Sequence, residues 1–541
     1  MSAHRAPERR DLAPNAVARW AEEAPDRVFL QHVDGRTLAY AEVDARLDRW
    51  ADGLAAAGVA PGEHLALFIT DPVESAVTWL AAGRAGLVAV PLNTAHVGRM
   101  LRHVLVTSDA AAIVVSPDLA GRLPEVAGDA KRLRLVVVTG EAPDLPTVGE
   151  KVTVVRAAEL LAGADAGVGG GSVAGGGERH LVDLHETAML LFTSGTTGPS
   201  KAVIVPWATA HGYWSWVPDD TLGPDEGLYA PMTMFHISGL GALQYAAFKG
   251  GRLIVRDRFS ATAFWDDVRA TGAVAAGLVG PMTALLASAP ERPDDADNPL
   301  RSMILGPMIP EMAAFERRFG VRVATCYGMT EVAPVIVTGW DHGPWETCGR
   351  IIEGYPGAEA RIVDEHDRPV PDGEVGELIV RTREPWTLNG GYHNQPEATV
   401  EAWRNGWFHT GDAFRRDADG WFYFVDRMKD TIRRRGENIS SFEVEASVLE
   451  HPGVAACAAF GVPDDFGGDE VMIAVEARDG VELDPAALGA FLAERMPKYM
   501  TPRYIDVVDE IPRNTTSLRV QKFVLRERGV TPTTWDRQAE T

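Results

Sequence analysis

At 541 residues, with 46% apolar and 24% charged side chains, the chain has the makeup of a folded, water-soluble protein too long for one hydrophobic core. Its 52 basic and 76 acidic residues leave a formal charge of -24, which repels phosphate backbones and anionic lipid heads and argues against nucleic acid or membrane as the main partner. Cys326, Cys348 and Cys457 are widely spaced and make no CxxC pair, which excludes a zinc knuckle or a disulfide framework.

The first fifteen residues hold Arg5, Arg9 and Arg10 with no apolar run behind them, so no secretory signal is read there. No stretch of about 18 apolar residues occurs, so no membrane span is expected and the cytoplasm is the expected compartment. From the N-terminus, helix-like and strand-like segments alternate. Periodicity predicts helices over 16–23, 40–58, 75–86 and 100–107, and strands over 64–69, 87–91, 111–115 and 133–138. Such alternation predicts an α/β fold, a large N-terminal domain of layered sheets and helices. Residues 163–177 form a Gly/Ala/Ser tract that cannot build a core and reads as a flexible surface connection.

A change of pattern comes near 426. Before it, 376–381 and 421–425 read as strands. After it, helices over 441–449 and 488–494 and strands over 471–476 and 504–508 predict a smaller α+β domain, joined through the charged stretch 426–435.

The segment most telling of chemistry runs from Leu190 to Lys201. An apolar strand enters a loop with Gly195 and Gly198, the hydroxyls of Thr193, Ser194, Thr196 and Thr197, and a terminal Lys201. Glycines let backbone wrap an anion, hydroxyls and N–H groups donate to phosphate oxygens, and lysine supplies charge. A Walker loop has Gly directly before its Lys, and position 200 is Ser. Alone, the segment also admits the reading of a Gly/Thr turn without function. Likewise Asp412 alone could cap a turn, Glu331 could be a solvated carboxylate, and His236 a core histidine.

Taken together and in order, these segments resemble those of the acyl-adenylate-forming superfamily of acyl-CoA synthetases, peptide-synthetase adenylation domains and luciferases, across nearly the whole chain. The 193–201 loop is similar to its phosphate loop. Tyr327-Gly-Met-Thr-Glu331 resembles the segment whose Thr (Thr330) contacts the α-phosphate and whose Glu (Glu331) helps hold Mg2+, with Tyr327 at the nucleotide. Gly306-Pro-Met-Ile-Pro310 sits where the family has a Gly-rich strand by the adenine and acyl pocket, although Pro307 and Met308 depart from its small residues. By the same resemblance Asp412 of Thr410-Gly-Asp412 accepts both ribose hydroxyls, Arg427 reaches the ribose, Lys429 is a pivot, and Gly436 and Glu437 meet coenzyme A. His236 lies where the family places a gate beside an acyl pocket that Pro307, Met308 and Met329 also line. The implied division is a nucleotide-binding domain over 1–426, a hinge at 427–429 and a mobile domain over 430–541.

One position departs from the pattern. The family carries an adenylation lysine in Pro-Arg-x-x-x-Gly-Lys-Val; here, alignment from Pro512-Arg513 puts Leu518 there, and alignment back from Lys522 puts Arg519. Lysine is a compact, rotatable charge, arginine a planar fork, and leucine neither. Two outcomes stay open: Arg519 or an inward-turned Lys522 substitutes, or the protein forms thioesters from acyl-AMP that a partner adenylating enzyme supplies.

The implied function is an acyl-CoA ligase using ATP, Mg2+ and coenzyme A on a hydrophobic carboxylic acid, either complete or restricted to the thioester-forming half. A stand-alone adenylation enzyme loading a carrier protein and a non-catalytic acyl-nucleotide-binding protein remain alternatives. The motif wording is most similar to ligases for carnitine-type, bile-acid-type and other bulky or cyclic acids.

Overall fold

The computed structural model describes residues 7–539 except 142–143, 150, 166–178, 194–199, 307, 310, 352–356, 428–430, 436, 465–467, 513–519 and 521. The chain forms two compact units, one of Met1–Thr94, Arg102–Leu191 and Ala202–Val425, the other of Ala95–Leu101, Phe192–Lys201 and Asp426–Thr541.

A seven-stranded sheet runs in the order Thr153–Arg156, Leu135–Val138, Ala110–Val115, His64–Phe68, Val88–Pro91, Thr187–Thr193 and Lys201–Pro206. Its first six strands are parallel. Every residue of Ala110–Val115 and of Leu135–Val138 is buried, which is why both read as unbroken apolar runs rather than alternating ones.

A nine-stranded sheet follows the order Arg350–Ile351, Val332–Val337, Arg322–Met329, Ser302–Gly306, Ala273–Val279, Gly227–Tyr229, Arg252–Val255, Val28–His32 and Thr37–Ala39. From Arg322–Met329 to Val28–His32 its strands are parallel. The edge strands on either side are antiparallel. A third, antiparallel sheet joins Glu359–Val363, Gly376–Arg381, Trp407–Arg416 and Trp403–Arg404, with Phe422–Arg427 also paired to Trp407–Arg416.

Local chemistry shifts some predicted boundaries. The helix expected from 75 starts at Pro72, because the Asp71 carboxylate accepts from the N–H groups of Val73 (2.8 Å) and Glu74 (3.0 Å) and proline suits the first turn. The helix expected from 488 starts at Pro485 for the same reason, with Asp484 accepting from Ala486 N–H at 3.0 Å. The Gly-rich tract is not wholly a connection: the helix Ala157–Asp165 runs into its first residues, and the rest lies outside the described residues.

The second unit has a four-stranded sheet of Val454–Pro463, Asp469–Ala477, Tyr504–Val508 and Trp535–Asp536, and a two-stranded one of Thr431–Arg434 and Glu437–Ser440. Ile432, Val444, Ile473, Leu488 and Ile505 share its core. Arg434 Nη2 and Glu470 pair at 2.6 Å within that unit, and Arg434 Nη1 donates to the carbonyls of Tyr499 (2.9 Å) and Thr501 (3.0 Å). Such extra hydrogen bonds are what make a buried charge tolerable. No helix among the described residues is long and apolar enough to cross a membrane.

Candidate active site

In open sheets of parallel strands, ligands gather at the carboxyl ends. Here Ala273–Val279 ends in register with Ser302–Gly306, whose last residue pairs with Val279, and Arg322–Met329 lies alongside. Three candidate segments therefore leave one edge: Gly306 with buried Met308, then Tyr327 and Met329, then the Thr330–Glu331 turn, closed by Met329 paired to Val332.

Tyr327 is buried, and its hydroxyl donates to Asp412 Oδ2 at 2.7 Å. Asp412 is 2% exposed. It sits at an irregularity of the third sheet, where the partner of Glu377 is Ala413 but that of Ile379 is His409. Extra residues at such a bulge re-aim a side chain. This one is pinned: Thr410 Oγ1 donates to Leu378 O at 2.7 Å and accepts from Asp412 N–H, while Glu377 accepts from Gly411 N–H at 3.1 Å and meets His409 Nδ1 at 2.9 Å.

Glu331 is 5% exposed, with its carboxylate Oε1 accepting from the Tyr392 hydroxyl at 3.1 Å and its carbonyl accepting from Asn389 N–H (3.1 Å) and Nδ2 (2.8 Å). Burial, reinforced by the adjacent Glu331 charge, pushes the Tyr392 phenol far above its usual range, so it remains a donor. Burial does the same to Tyr213, with Cys326 and Glu331 adding to the effect.

Thr193 closes one strand and Lys201 opens the next; Ser194, Gly195, Thr196, Thr197 and Gly198 lie outside the described residues. His236 occupies the N-cap of the helix Ile237–Lys249, its ring 4.7 Å from that of Phe235. Near these elements Trp214 is buried in a notch that two glycines leave. A Cβ on Gly277 would come within 2.4 Å of its indole, and one on Gly241 within 2.8 Å. Met329 Sδ lies 3.7 Å from the Tyr327 hydroxyl, whose one proton goes to Asp412. Pro307 lies outside the described residues.

In the second unit, Arg427 ends the strand Phe422–Arg427 and Glu437 opens Glu437–Ser440. Lys429, Gly436, Leu518 and Arg519 lie outside the described residues. Lys522 is engaged within its own unit. Its ammonium donates to Ser441 Oγ at 2.7 Å and pairs with Glu445 Oε1 at 2.6 Å, and Glu445 also accepts from Ala459 N–H at 2.9 Å. A carboxylate left here without its ammonium would be poorly solvated, so Lys522 stays. The sequence reading missed Tyr392, Asn389 and Glu377. The Gly390-Gly391 pair before Tyr392 was the available signal, since paired glycines mark close backbone approach.

A large α/β unit followed by a smaller α+β unit is the fold of acyl-CoA synthetases. The o-succinylbenzoate CoA synthetase of Bacillus subtilis, a double mutant bound with its product analogue, matches with a TM-score of 0.79 and 25% identity, covering 95% of this chain and 98% of that one. The amide bond synthetase of Marinactinospora thermotolerans matches at 0.78 and 26% identity, covering 95% and 100%. The chain belongs to the AMP-binding enzyme family, which matches residues 17–393, with the AMP-binding enzyme C-terminal domain matching 443–517. It is an enzyme of the acid–thiol ligase type. The sulfoacetate–CoA ligase of Cupriavidus necator is 31% identical to it over 532 residues, 97% of this chain and 99% of that protein. The crotonobetaine/carnitine–CoA ligase of Salmonella typhi is 30% identical over 500 residues, 90% of this chain and 93% of that protein.

Proposed function

We propose that the protein converts a carboxylic acid, ATP and coenzyme A into an acyl-CoA through an acyl-adenylate, with Asp412 accepting the ribose hydroxyls and Glu331 serving the magnesium that accompanies ATP. The observation that carries this reading is a pair of buried carboxylates, each on a phenolic donor: Asp412 on Tyr327 and Glu331 on Tyr392. Burying two carboxylates is costly, and their placing, Glu331 just past a parallel strand and Asp412 at a bulge bonded to the Tyr327 of that strand, supports reading them as ligand groups.

The donor set suits magnesium. Among the described residues no three His, Cys, Asp or Glu side chains converge on a metal cage. Magnesium commonly keeps its waters and takes one or two carboxylates together with substrate phosphates, so a single fixed Glu331 is an adequate protein ligand. The cation supplies neutralisation of charge on the phosphate oxygens.

In the first half-reaction a carboxylate oxygen of the acid bonds the α-phosphorus. The bond from that phosphorus to the bridging oxygen breaks, and pyrophosphate leaves with its electron pair. Thr330, Lys201 and the hydroxyls and N–H groups of 193–198 then serve as donors to phosphate oxygens, so catalysis is placement and charge stabilisation. In the second, the CoA sulfur bonds the acyl carbon, its proton passes to water, and AMP leaves with the acyl–oxygen pair. Residues 1–426 form the nucleotide-binding body, 427–429 the hinge with Lys429 as pivot, and 430–541 the mobile domain bearing Arg519, Gly436 and Glu437. By the family resemblance, Arg427 is assigned to the ribose. Met308, Met329 and His236, together with Pro307 by the family resemblance, favour an acid with an apolar frame, and the reaction belongs in the cytoplasm.

The first half-reaction is the slower one. Leu518 or Arg519 stands where the family has its lysine, and Lys522 is committed to Ser441 and Glu445. The test is single-turnover kinetics over a panel of acids including sulfoacetate, crotonobetaine and apolar acids. Thioester formation from preformed acyl-AMP is expected to outrun pyrophosphate release on the order of 10²–10³-fold, the usual cost of one lost preorganised donor. Equal rates with the best acid would mean that adenylation is intact, and the relatives give no support to a separate adenylating partner. Absence of both half-reactions with every acid would overturn the ligase reading.

A further inference from the structure

The chain between Thr387 and His393 is a strap that touches two strands not otherwise neighbours in any sheet. On one side Gly390 N–H donates to Ile204 O (2.8 Å), Ile204 N–H to Gly391 O (2.9 Å), and His393 N–H to Ala202 O (2.8 Å). Isolated bridges pair Val203 with Tyr392 and Val332 with Leu388. On the other side Asn389 grips the carbonyl of Glu331 with both its backbone and side-chain N–H groups. The strand Lys201–Pro206, which leaves the phosphate loop, is thus sewn to the turn that carries Glu331.

The strap is built to hold one shape. Gly391 has φ of 98°, in the left-handed region, and a Cβ there would lie 2.6 Å from Thr399 Cγ2. A Cβ on Gly390 would lie 2.9 Å from Ile204. Asn389 Oδ1 accepts from Gly391 N–H (2.8 Å) and Trp403 Nε1 (3.1 Å), Thr399 Oγ1 accepts from Tyr392 N–H (2.9 Å), and Thr209 Oγ1 donates to Leu388 O (2.9 Å). Tyr392 is 9% exposed, and its hydroxyl donates to Glu331 Oε1 at 3.1 Å.

We propose that Tyr392 is a positioning residue for adenylation, its hydroxyl fixing the Glu331 carboxylate at a set place relative to the strand that leaves the phosphate loop. This rests on the reading of Glu331 as the magnesium carboxylate. Partners that orient a metal-binding group typically account for 10–100-fold in metal affinity or activity. A carboxylate free to rotate meets the cation of MgATP in the right direction only part of the time.

The test compares full-length Tyr392→Phe and Glu331→Gln with the unaltered protein. Two quantities are read: the Mg2+ concentration giving half-maximal pyrophosphate release in a single turnover, and the calorimetric affinity ratio of Mn2+–ATP to metal-free ATP. Tyr392→Phe keeps the ring and its packing. It is expected to raise the Mg2+ requirement about 10–100-fold and to pull the affinity ratio toward one. AMP affinity and thioester formation from acyl-AMP are expected to stay as they were. If Glu331→Gln shifts the requirement and Tyr392→Phe does not, this inference falls alone. If Glu331→Gln leaves the requirement unchanged, the assignment of Glu331 falls and takes this inference with it. Parallel losses in AMP affinity, both half-reactions and melting temperature would mark Tyr392 as merely structural and overturn the proposal.

Discussion

Tyr327 and Asp412 stand 85 positions apart in the chain, yet the phenol donates to the carboxylate at 2.7 Å in a buried setting. One strand carries the donor toward the ligand edge of a parallel sheet, and a bulge in another sheet turns the acceptor to meet it. That carboxylate is the group proposed above to receive the ribose hydroxyls.

Asp412→Ala is expected to weaken AMP binding, since hydrogen bonds to a charged acceptor contribute about 1.5–3 kcal/mol each. Tyr327→Phe should cost less, about 1 kcal/mol, because the carboxylate persists and only its orientation loosens. Calorimetric titration of AMP ranks the three proteins. Equal affinity in all three would show that the pair lies away from the nucleotide.

Lys522→Met should destabilise the C-terminal unit by about 1–3 kcal/mol, because Glu445 would keep its Ala459 N–H donor and lose its ammonium. The loss is expected as an earlier local transition in hydrogen exchange of the helix Ser441–Val448 and the strand Val454–Pro463. Cys457 lies in the same contact network, and burial, followed by the Glu445 charge, pushes its thiol up to about 12. At neutral pH the group is therefore a thiol and not a thiolate, and alkylation of Cys457 should be slow; Lys522→Met removes a charge that lowers the thiol pKa, so faster alkylation in that variant would report local opening of the unit and not a more acidic thiol.

Gly277→Ala is expected to destabilise the large unit by about 1–3 kcal/mol, as overpacking does. The added Cβ would press on the Trp214 ring from 2.4 Å. Trp214→Phe shortens the ring on that side, so the double variant should recover part of the loss. A denaturant-melt cycle measures the coupling, and simple additivity would mean that the indole can step aside without cost.

Glu226 gives a stability with a definite pH window. Arg301 forks onto it with two contacts of 2.6 Å and holds its carboxyl below the usual 4.5, with Gly223 N–H adding a further hydrogen bond. A depressed carboxyl stabilises the fold in full above the unfolded value and loses that contribution as pH falls through the folded value. Both side chains are partly exposed, at 44% and 30%, so water screens the pair and the gain is about 1 kcal/mol or less. Glu226→Gln should lower the melting temperature slightly at pH 7, and the gap should close as pH falls below 4.5 and through the lower folded value. A gap that stayed constant with pH would assign the loss to packing.

The sequence by itself determined the strand–helix alternation, the change of architecture near 426 and the segments of family character, because each is local. A buried parallel strand such as Ala110–Val115 must be apolar throughout, and a phosphate loop needs its glycines, hydroxyls and lysine close together in the chain. The helix starts at Pro72 and Pro485 are also local, written in the caps Asp71 and Asp484 and not in the apolar periodicity, which begins a turn later. Only the tertiary structure decided which groups meet. Tyr392 reaches Glu331 across 61 positions, and Lys522 reaches Ser441 across 81, where it is spent on an ion pair. Nothing in local spacing encodes such meetings. They follow from sheet register and from a strap whose glycines permit close approach, and a hydrogen bond depends on where two atoms stop in space and not on how far apart they lie along the chain.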